Sequence, residues 1–217
     1  PAYLLDTLAQ AGAQTYDDIE IIVVDQTPRN PPEVEATLTP PRFIYLRHAP
    51  PHLTAARNRG LAVDTGELII FIDDDVRIEP DFVARHVAAH QRWSTEPSSP
   101  NRLPVGGVSG ADLSPATPTW EATRARQLAM FGSVALTWNE AWELPWLTGC
   151  NMSFRREVLL RAGGFDERLP GGGWGEDVDI SLSVRALGYR LVMERDLGLW
   201  HHQAPAADPD AAIPLHA

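Results

Sequence analysis

Three consecutive carboxylates, Asp73, Asp74 and Asp75, stand at the end of the apolar run Leu68-Ile69-Ile70-Phe71-Ile72. Such a run reads as a buried strand, and ligands of open α/β sheets bind just beyond the carboxyl ends of the strands. Adjacent acids repel one another, so a site that keeps all three ionised needs a cation. Mg²⁺ or Mn²⁺ suits oxygen donors and commonly bridges to substrate phosphates. The plainer alternative is a polar turn, but a turn asks for one or two Asp rather than three. Asp25 closes an earlier β-branched run, Ile19 to Val24. In a parallel sheet it would open onto the same edge, where an acid accepts hydrogen bonds from a ribose or base edge. Taken alone, Asp25 fits a turn-forming role equally well.

Gly171-Gly172-Gly173-Trp174-Gly175-Glu176-Asp177-Val178-Asp179 is the second segment with chemistry in it. Four glycines in five positions make a permissive backbone of the kind that orders on binding. Trp174 offers an apolar plate for stacking on a sugar ring. Glu176 and Asp177 then open a helix running to Leu187 and closed by Gly188. Acids at a helix N-terminus are favourable in their own right, but that does not account for the glycine–tryptophan approach. His201-His202 follow the apolar run Leu197 to Trp200. A neutral imidazole can complete a Mn²⁺-type site with distant carboxylates. His48, His52, His86, His90 and His216 have no such context. Arg57, in Ala56-Arg57-Asn58-Arg59-Gly60, is the guanidinium suited to a phosphate, whereas Arg59 reads as a solvated face.

These groups need elements to carry them. The pattern predicts a helix over 2–14, a strand over Ile19 to Val24, one or two helical turns over Glu33 to Leu38, and a short strand over Phe43 to Leu46. A helix over Thr54 to Asp64 follows, with Thr54 as N-cap and Gly66 just past its end. The acidic strand leads into an amphipathic helix, Pro80 to Trp93, and then a Ser/Pro-rich loop over 94–104. Val105 to Ala111 reads as a strand, and 112–146 as a less regular region holding four of the seven Trp. Alternating strands and helices imply an α/β fold with a mostly parallel sheet and helices on both faces.

Composition narrows the function classes. A formal net charge of -11 argues against non-specific binding to nucleic acid or to anionic lipid. All 18 basic residues are Arg, which removes any lysine nucleophile or Schiff base. The single Cys150 excludes an intramolecular disulfide and a cysteine-rich zinc site, and its apolar neighbourhood reads as inert packing. No apolar run reaches the roughly 18 residues of a membrane span, and no signal peptide opens the chain. A cytoplasmic location is the expectation.

Read in order, the segments resemble the family 2 glycosyltransferases of the GT-A fold, a Rossmann-like mixed sheet flanked by helices. Ile19 to Thr27 is similar to that family's donor-binding strand and acid. Leu53 to Gly60 is similar to its Ala-Arg-Asn-Gly helix, and Gly66 to Asp75 to its Gly-Glu-x-Ile-x-Phe-x-Asp-x-Asp strand. Gly149 to Asp166 resembles the segment leading into the acceptor site, Gly175 to Arg190 the Glu-Asp helix, and His201 stands in place of the C-terminal metal histidine. The resemblance runs from residue 1 to about 202. It implies a single domain over 1–217, with a nucleotide-sugar half over 1–111, an acceptor and catalytic half over 112–202 and a tail over 203–217.

The resemblance also implies roles. Asp25 would hold the uracil or ribose, with Arg57, Asp73 and Asp74 also on the donor. Asp75 and His201 would bind Mn²⁺ or Mg²⁺, with His202 in reserve. Asp177 would be the general base, and Trp174, Glu176 and Asn151 would face the acceptor. The implied reaction is inverting transfer from a nucleotide-sugar, a UDP-sugar first, to a carbohydrate or glycosylated acceptor. The family's opening strand, of the Val-Ile-Pro-Thr-Tyr-Asn kind, is not in the sequence, so part of the nucleotide pocket is expected to be missing. Gln26-Thr27-Pro28 replaces the usual acidic, Ser-rich turn. The Gln-x-x-Arg-Trp motif of processive synthases is not found after the Glu-Asp helix, which favours single-sugar transfer. Two other readings remain: a nucleotide-sugar-binding module without turnover, and an aspartate-dependent phosphatase of the haloacid dehalogenase type. The latter has Thr or Val where this chain has Arg77.

Overall fold

A computed structural model describes residues 2–27, 32–38, 42–95, 103–131, 135–138, 141–170 and 175–203. In chain order the elements are α1 (Ala2–Gly12), β1 (Ile21–Asp25), α2 (Pro32–Thr37), β2 (Phe43–Arg47), α3 (Leu53–Val63), β3 (Leu68–Ile72), β4 (Val76–Arg77) and α4 (Phe82–Thr95). They continue with β5 (Val105–Leu113), α5 (Trp120–Phe131), β6 (Ala135–Trp138), β7 (Ala141–Glu143), β8 (Asn151–Arg155), α6 (Arg156–Ala162), α7 (Glu176–Ala186) and β9 (Arg190–His201).

The main sheet is mixed, in the order β3-β8-β5-β9-β7-β6, with β4 added to β9. Parallel pairing joins β5 to β9, and β8 runs antiparallel to both its neighbours, β3 and β5. β1 and β2 pair in parallel as a separate two-stranded sheet. Asp25 and Asp73 therefore end strands of different sheets, with α3 packed against β1 and reaching towards β3. Gly60 of α3 lies against Ile22 and Val24 of β1, while Arg57 lies 5.7 Å from the Phe71 ring of β3.

Strand alternation puts helices on both faces of the main sheet. Met152 and Phe154 of β8 enter one core with Val158, Leu159, Ile180 and Val184 from α6 and α7. Ser153, between them, turns to the other face and meets His86 and His90 of α4 at 2.9 Å each. That face carries a second core, in which Ala89 and Trp93 pack on Val105, Val108 and Val192. Phe154 is fully buried, and truncating such a side chain costs roughly 3–5 kcal/mol.

Several local expectations change. The N-cap of α3 is His52, whose Nδ1 accepts from the Ala55 N–H at 3.4 Å, and Thr54 lies inside the helix. The 112–146 region contains α5 and two short strands, β6 and β7, as a continuation of the main sheet. Its Trp142 is buried against Trp120, with ring centroids 5.1 Å apart. The run Leu197 to Trp200 belongs to one twelve-residue strand, β9. Most of the 94–104 loop lies outside the described residues.

The β5–β9 ladder contains the irregularity that matters for the site. Between the pairs Gly110↔Glu194 and Asp112↔Leu199, β5 advances two residues while β9 advances five. The extra length passes directly over Gly110, where a Cβ would stand 1.8 Å from the Leu197 carbonyl oxygen. Only glycine permits that approach. Beyond it, β9 regains pairing and carries His201 opposite Val76.

Candidate active site

The acidic turn is held by its backbone. Thr7 of α1 lies with its hydroxyl 3.0 Å from the Asp74 carbonyl and 2.9 Å from that of Val76, and accepts from the Val76 N–H at 3.2 Å. The His202 N–H donates to the Asp75 carbonyl at 3.0 Å. This β4–β9 connection brings a histidine to the acids. His201 Nε2 lies 3.1 Å from Asp75 Oδ1 and 3.7 Å from Asp73 Oδ2, and Nδ1 lies 3.5 Å from Asp112 Oδ1. The Asp112 carboxylate beside Nδ1 is the largest influence on His201; with Asp75 and Asp73 it outweighs burial and pushes the imidazole pKa up to about 9. Burial raises the Asp73 carboxyl, with Arg57 and His201 opposing and the neighbouring acids adding to the shift. Burial and Asp75 raise Asp74 in the same direction.

His202, the reserve ligand, turns away and packs on Tyr3 with ring centroids 4.7 Å apart. The donor set thus contains carboxylate oxygens and one imidazole nitrogen, the chemistry that suits Mn²⁺ or Mg²⁺. Asp112 Oδ1 and His201 Nδ1 are buried and face each other at 3.5 Å. A carboxylate in that position orients a ligating imidazole. These residues fit a divalent cation.

Arg57 is the knot between the acidic turn and the Glu-Asp helix. Its guanidinium donates to Glu176 Oε1 at 2.9 Å and to the Gly149 carbonyl at 3.2 Å, and approaches Asp73 at 4.0 Å. The rings of Phe71 and Phe165 flank it at 5.7 and 5.3 Å. Glu176 is buried on this arginine, and burial raises its carboxyl despite Arg57. Arg57 and Glu176 thus form a buried ion pair beside the acidic turn. Asp177, next along, stays partly exposed. Its Oδ2 accepts from the Gly149 N–H at 3.1 Å and its Oδ1 from the Val178 N–H at 2.8 Å, which fixes the carboxylate's direction.

Asp25, at the end of β1, is held by a ring of donors. It accepts from Tyr45 Oη at 2.6 Å and from the Thr27 N–H and hydroxyl at 2.7 Å each, with Arg47 at 3.5 Å. Burial alone would raise its carboxyl, but these hydrogen bonds and the Arg47 charge hold it below the usual range. The next residue, Gln26, accepts the His52 N–H at 2.5 Å and ties Asp25 to the start of α3.

Asn151, expected at the acceptor, is fully buried, its amide donating to the Leu197 carbonyl at 2.8 Å. Cys150 is not packing inside an apolar core: its thiol, an Asp73 oxygen and a His201 nitrogen lie within 4.8 Å of one another. Trp174 lies outside the described residues. Sequence reasoning missed Asp112, Tyr45 and Arg47, which carry no motif; the acid in the Val105–Ala111 strand's continuation was the only available hint.

The sequence model of glycosyl transferase family 2 matches residues 1–162. The chain belongs to that family. The O-antigen biosynthesis protein RfbC of Myxococcus xanthus is 29% identical over 223 residues, covering 96% of this chain and 16% of RfbC. Among solved structures, the mannosyltransferase PcManGT of Pyrobaculum calidifontis, in complex with GDP-Man and Mn²⁺, aligns with TM-score 0.66 at 19% identity. That match covers 95% of this chain and 55% of PcManGT. S. aureus TarS 1-349 in complex with UDP-GlcNAc aligns with TM-score 0.69 at 14% identity, over 98% of this chain and 58% of TarS 1-349. The chain thus spans little more than half of these structures and a sixth of RfbC. Its fold is that of GT-A glycosyltransferases, and family membership removes the phosphatase reading. Among the described residues, no helix is long and apolar enough to cross a membrane.

Proposed function

We propose that this domain transfers a sugar from a nucleoside-diphosphate donor to a hydroxyl acceptor, with inversion at the anomeric carbon. The observation that carries this reading is the meeting of Asp73, Asp75 and His201, at 3.1 and 3.7 Å, on an edge with surplus negative charge. Asp75 and His201 would hold Mn²⁺ or Mg²⁺, with Asp73 beside them and Asp112 behind the histidine. A bound divalent cation supplies positive charge against the charge gathering on the departing nucleoside diphosphate. Asp25 binds the base or ribose through the oxygens its neighbours orient, and Asp74 lies on the donor side of the turn. Asp177 takes the proton of the acceptor hydroxyl as that oxygen attacks the anomeric carbon opposite the leaving group. An α-linked donor then gives a β-linked product. Arg57 and Glu176 position Asp177 by locking the start of α7 to the acidic turn. A carbohydrate or glycosylated acceptor, with Trp174 as a stacking plate, completes the reading.

PcManGT is solved with GDP-Man and TarS 1-349 with UDP-GlcNAc, so both nucleotides belong in the test. Calorimetric titration with UDP and GDP, with and without Mn²⁺, should show metal-dependent binding of one of them and its loss in Asp75→Ala. Metal-independent binding, or binding without turnover of any nucleotide-sugar, would favour a binding module. No binding of any nucleotide would sink the reading.

A further inference from the structure

Cys150 is the only thiol of the chain, and sugar transfer gives it nothing to do. It is held rigidly: the preceding Gly149 donates to Asp177 and accepts from Arg57, while the Asn151 N–H closes the turn onto the Thr148 carbonyl at 3.0 Å. The residue is 5% exposed, and its thiol sits beside Asp73 and His201 with all three ligand atoms within 4.8 Å of one another. In a tetrahedral site, bonds of about 2.0–2.3 Å place ligand atoms roughly 3.3–3.7 Å apart. Asp73 Oδ2 and His201 Nε2 already stand at 3.7 Å. Small side-chain movements would close the set.

We propose that Asp73, Cys150 and His201 form a second, sulfur-containing coordination set that takes a thiophilic divalent cation such as Zn²⁺ and thereby switches the transfer site off. The inference rests on the metal-assisted reading above, because the two sets share His201 and cannot be filled together. Oxygen-preferring Mn²⁺ gains little from sulfur, whereas Zn²⁺ favours Cys, His and carboxylate together. Divalent affinity rises from Mn²⁺ towards Zn²⁺ at a given nitrogen–oxygen site, and a thiolate widens the gap. On binding, the S–H proton leaves to water as the sulfur–metal bond forms; nothing is oxidised or reduced. Asp75 Oδ1, 3.1 Å from His201 Nε2, or a water fills the fourth position. The site would then lack the open positions that a donor diphosphate needs.

Co²⁺ reports the set directly, since a thiolate–Co²⁺ bond gives an intense near-ultraviolet charge-transfer band that oxygen and nitrogen ligands do not. Titration of the wild-type protein with Co²⁺ should raise that band to one equivalent, and Zn²⁺ should remove it stoichiometrically. Cys150→Ala and Cys150→Ser, checked for folding by thermal melts, should abolish the band and lower the ratio of Zn²⁺ to Mn²⁺ affinity at least about tenfold. Mn²⁺ binding, read separately by electron paramagnetic resonance, distinguishes the two ideas. Mn²⁺ bound with no Co²⁺ band in wild type overturns the sulfur set and leaves the transfer reading standing. A Co²⁺ band without Mn²⁺ binding supports the sulfur set and removes the transfer reading. Neither signal removes both.

Discussion

His201 and the pair His86 and His90 are the same residue type in two settings of one sheet. At the end of β9 the imidazole meets Asp73, Asp75 and Asp112 and is pushed up to about 9, Asp112 first among the causes. On α4, burial drives His86 down to about 3 and His90 to about 4. There the only hydroxyl hydrogen of Ser153 goes to the Val108 carbonyl at 3.1 Å. Ser153 Oγ then accepts from His86 Nδ1 and His90 Nε2 at 2.9 Å each, and burial keeps both rings neutral. The contrast teaches that a shifted histidine is not by itself a functional one. What separates the two is the surrounding charge: carboxylates that invite a cation in one place, a closed hydroxyl clamp in the other.

Removing each histidine in turn separates the two settings by what is lost. His201→Ala should cost about a hundredfold or more in metal-dependent nucleotide binding by calorimetry, while unfolding in urea changes little. His86→Ala should do the reverse, leaving nucleotide binding alone and lowering unfolding stability by about 2–3 kcal/mol through the cavity and the lost Ser153 contact. If both variants lose binding equally, the distinction drawn here is wrong.

Acid titration sharpens it further. The folded-state pKa values of His86 and His90 lie below the ordinary 6.5, so between those values the unfolded chain binds protons that the folded chain refuses. Their stabilising effect is full above about pH 6.5 and declines as pH falls, by about 1.4 kcal/mol per pH unit for each histidine at most. Urea midpoints measured between about pH 7 and pH 5 should show this slope, and His90→Gln should flatten part of it. His201 has the opposite sign: its raised pKa favours the folded, metal-free protein below pH 6.5 and loses that effect as pH climbs through about 9. The smallest expected effect is that of Asp112→Asn. It keeps the shape but weakens the carboxylate behind His201, and should lower Mn²⁺ affinity about tenfold, near the low end for orienting groups.

Much of the site was readable as sequence because local rules govern it. The acids Asp73 to Asp75 follow an apolar strand, Asp177 opens a helix behind glycines, and His201 follows a β-run. What escaped depends on partners far along the chain. Asp112 joins the site only because β5 pairs with β9. Asn151 is buried because strand alternation turns it towards Leu197 and α4, not because of its own polarity. Cys150 reads as packing among its sequence neighbours and becomes a candidate ligand only through Asp73 and His201. His52 caps α3 because Gln26 holds its backbone in place, a contact between segments 26 residues apart.

The excursion of β9 over Gly110 acts as a ruler. Side chains alternate across a strand, so the number of residues spent in that detour sets which face each later residue presents to the acids. Deleting one residue there would bring His202 into the place of His201, whereas inserting one would put Trp200 there and turn His201 to the opposite side. The detour's length, at a place with no chemistry of its own, thus decides which residue meets the acids. Homologues that gain or lose a residue in it would need a histidine at a shifted position to keep the same centre.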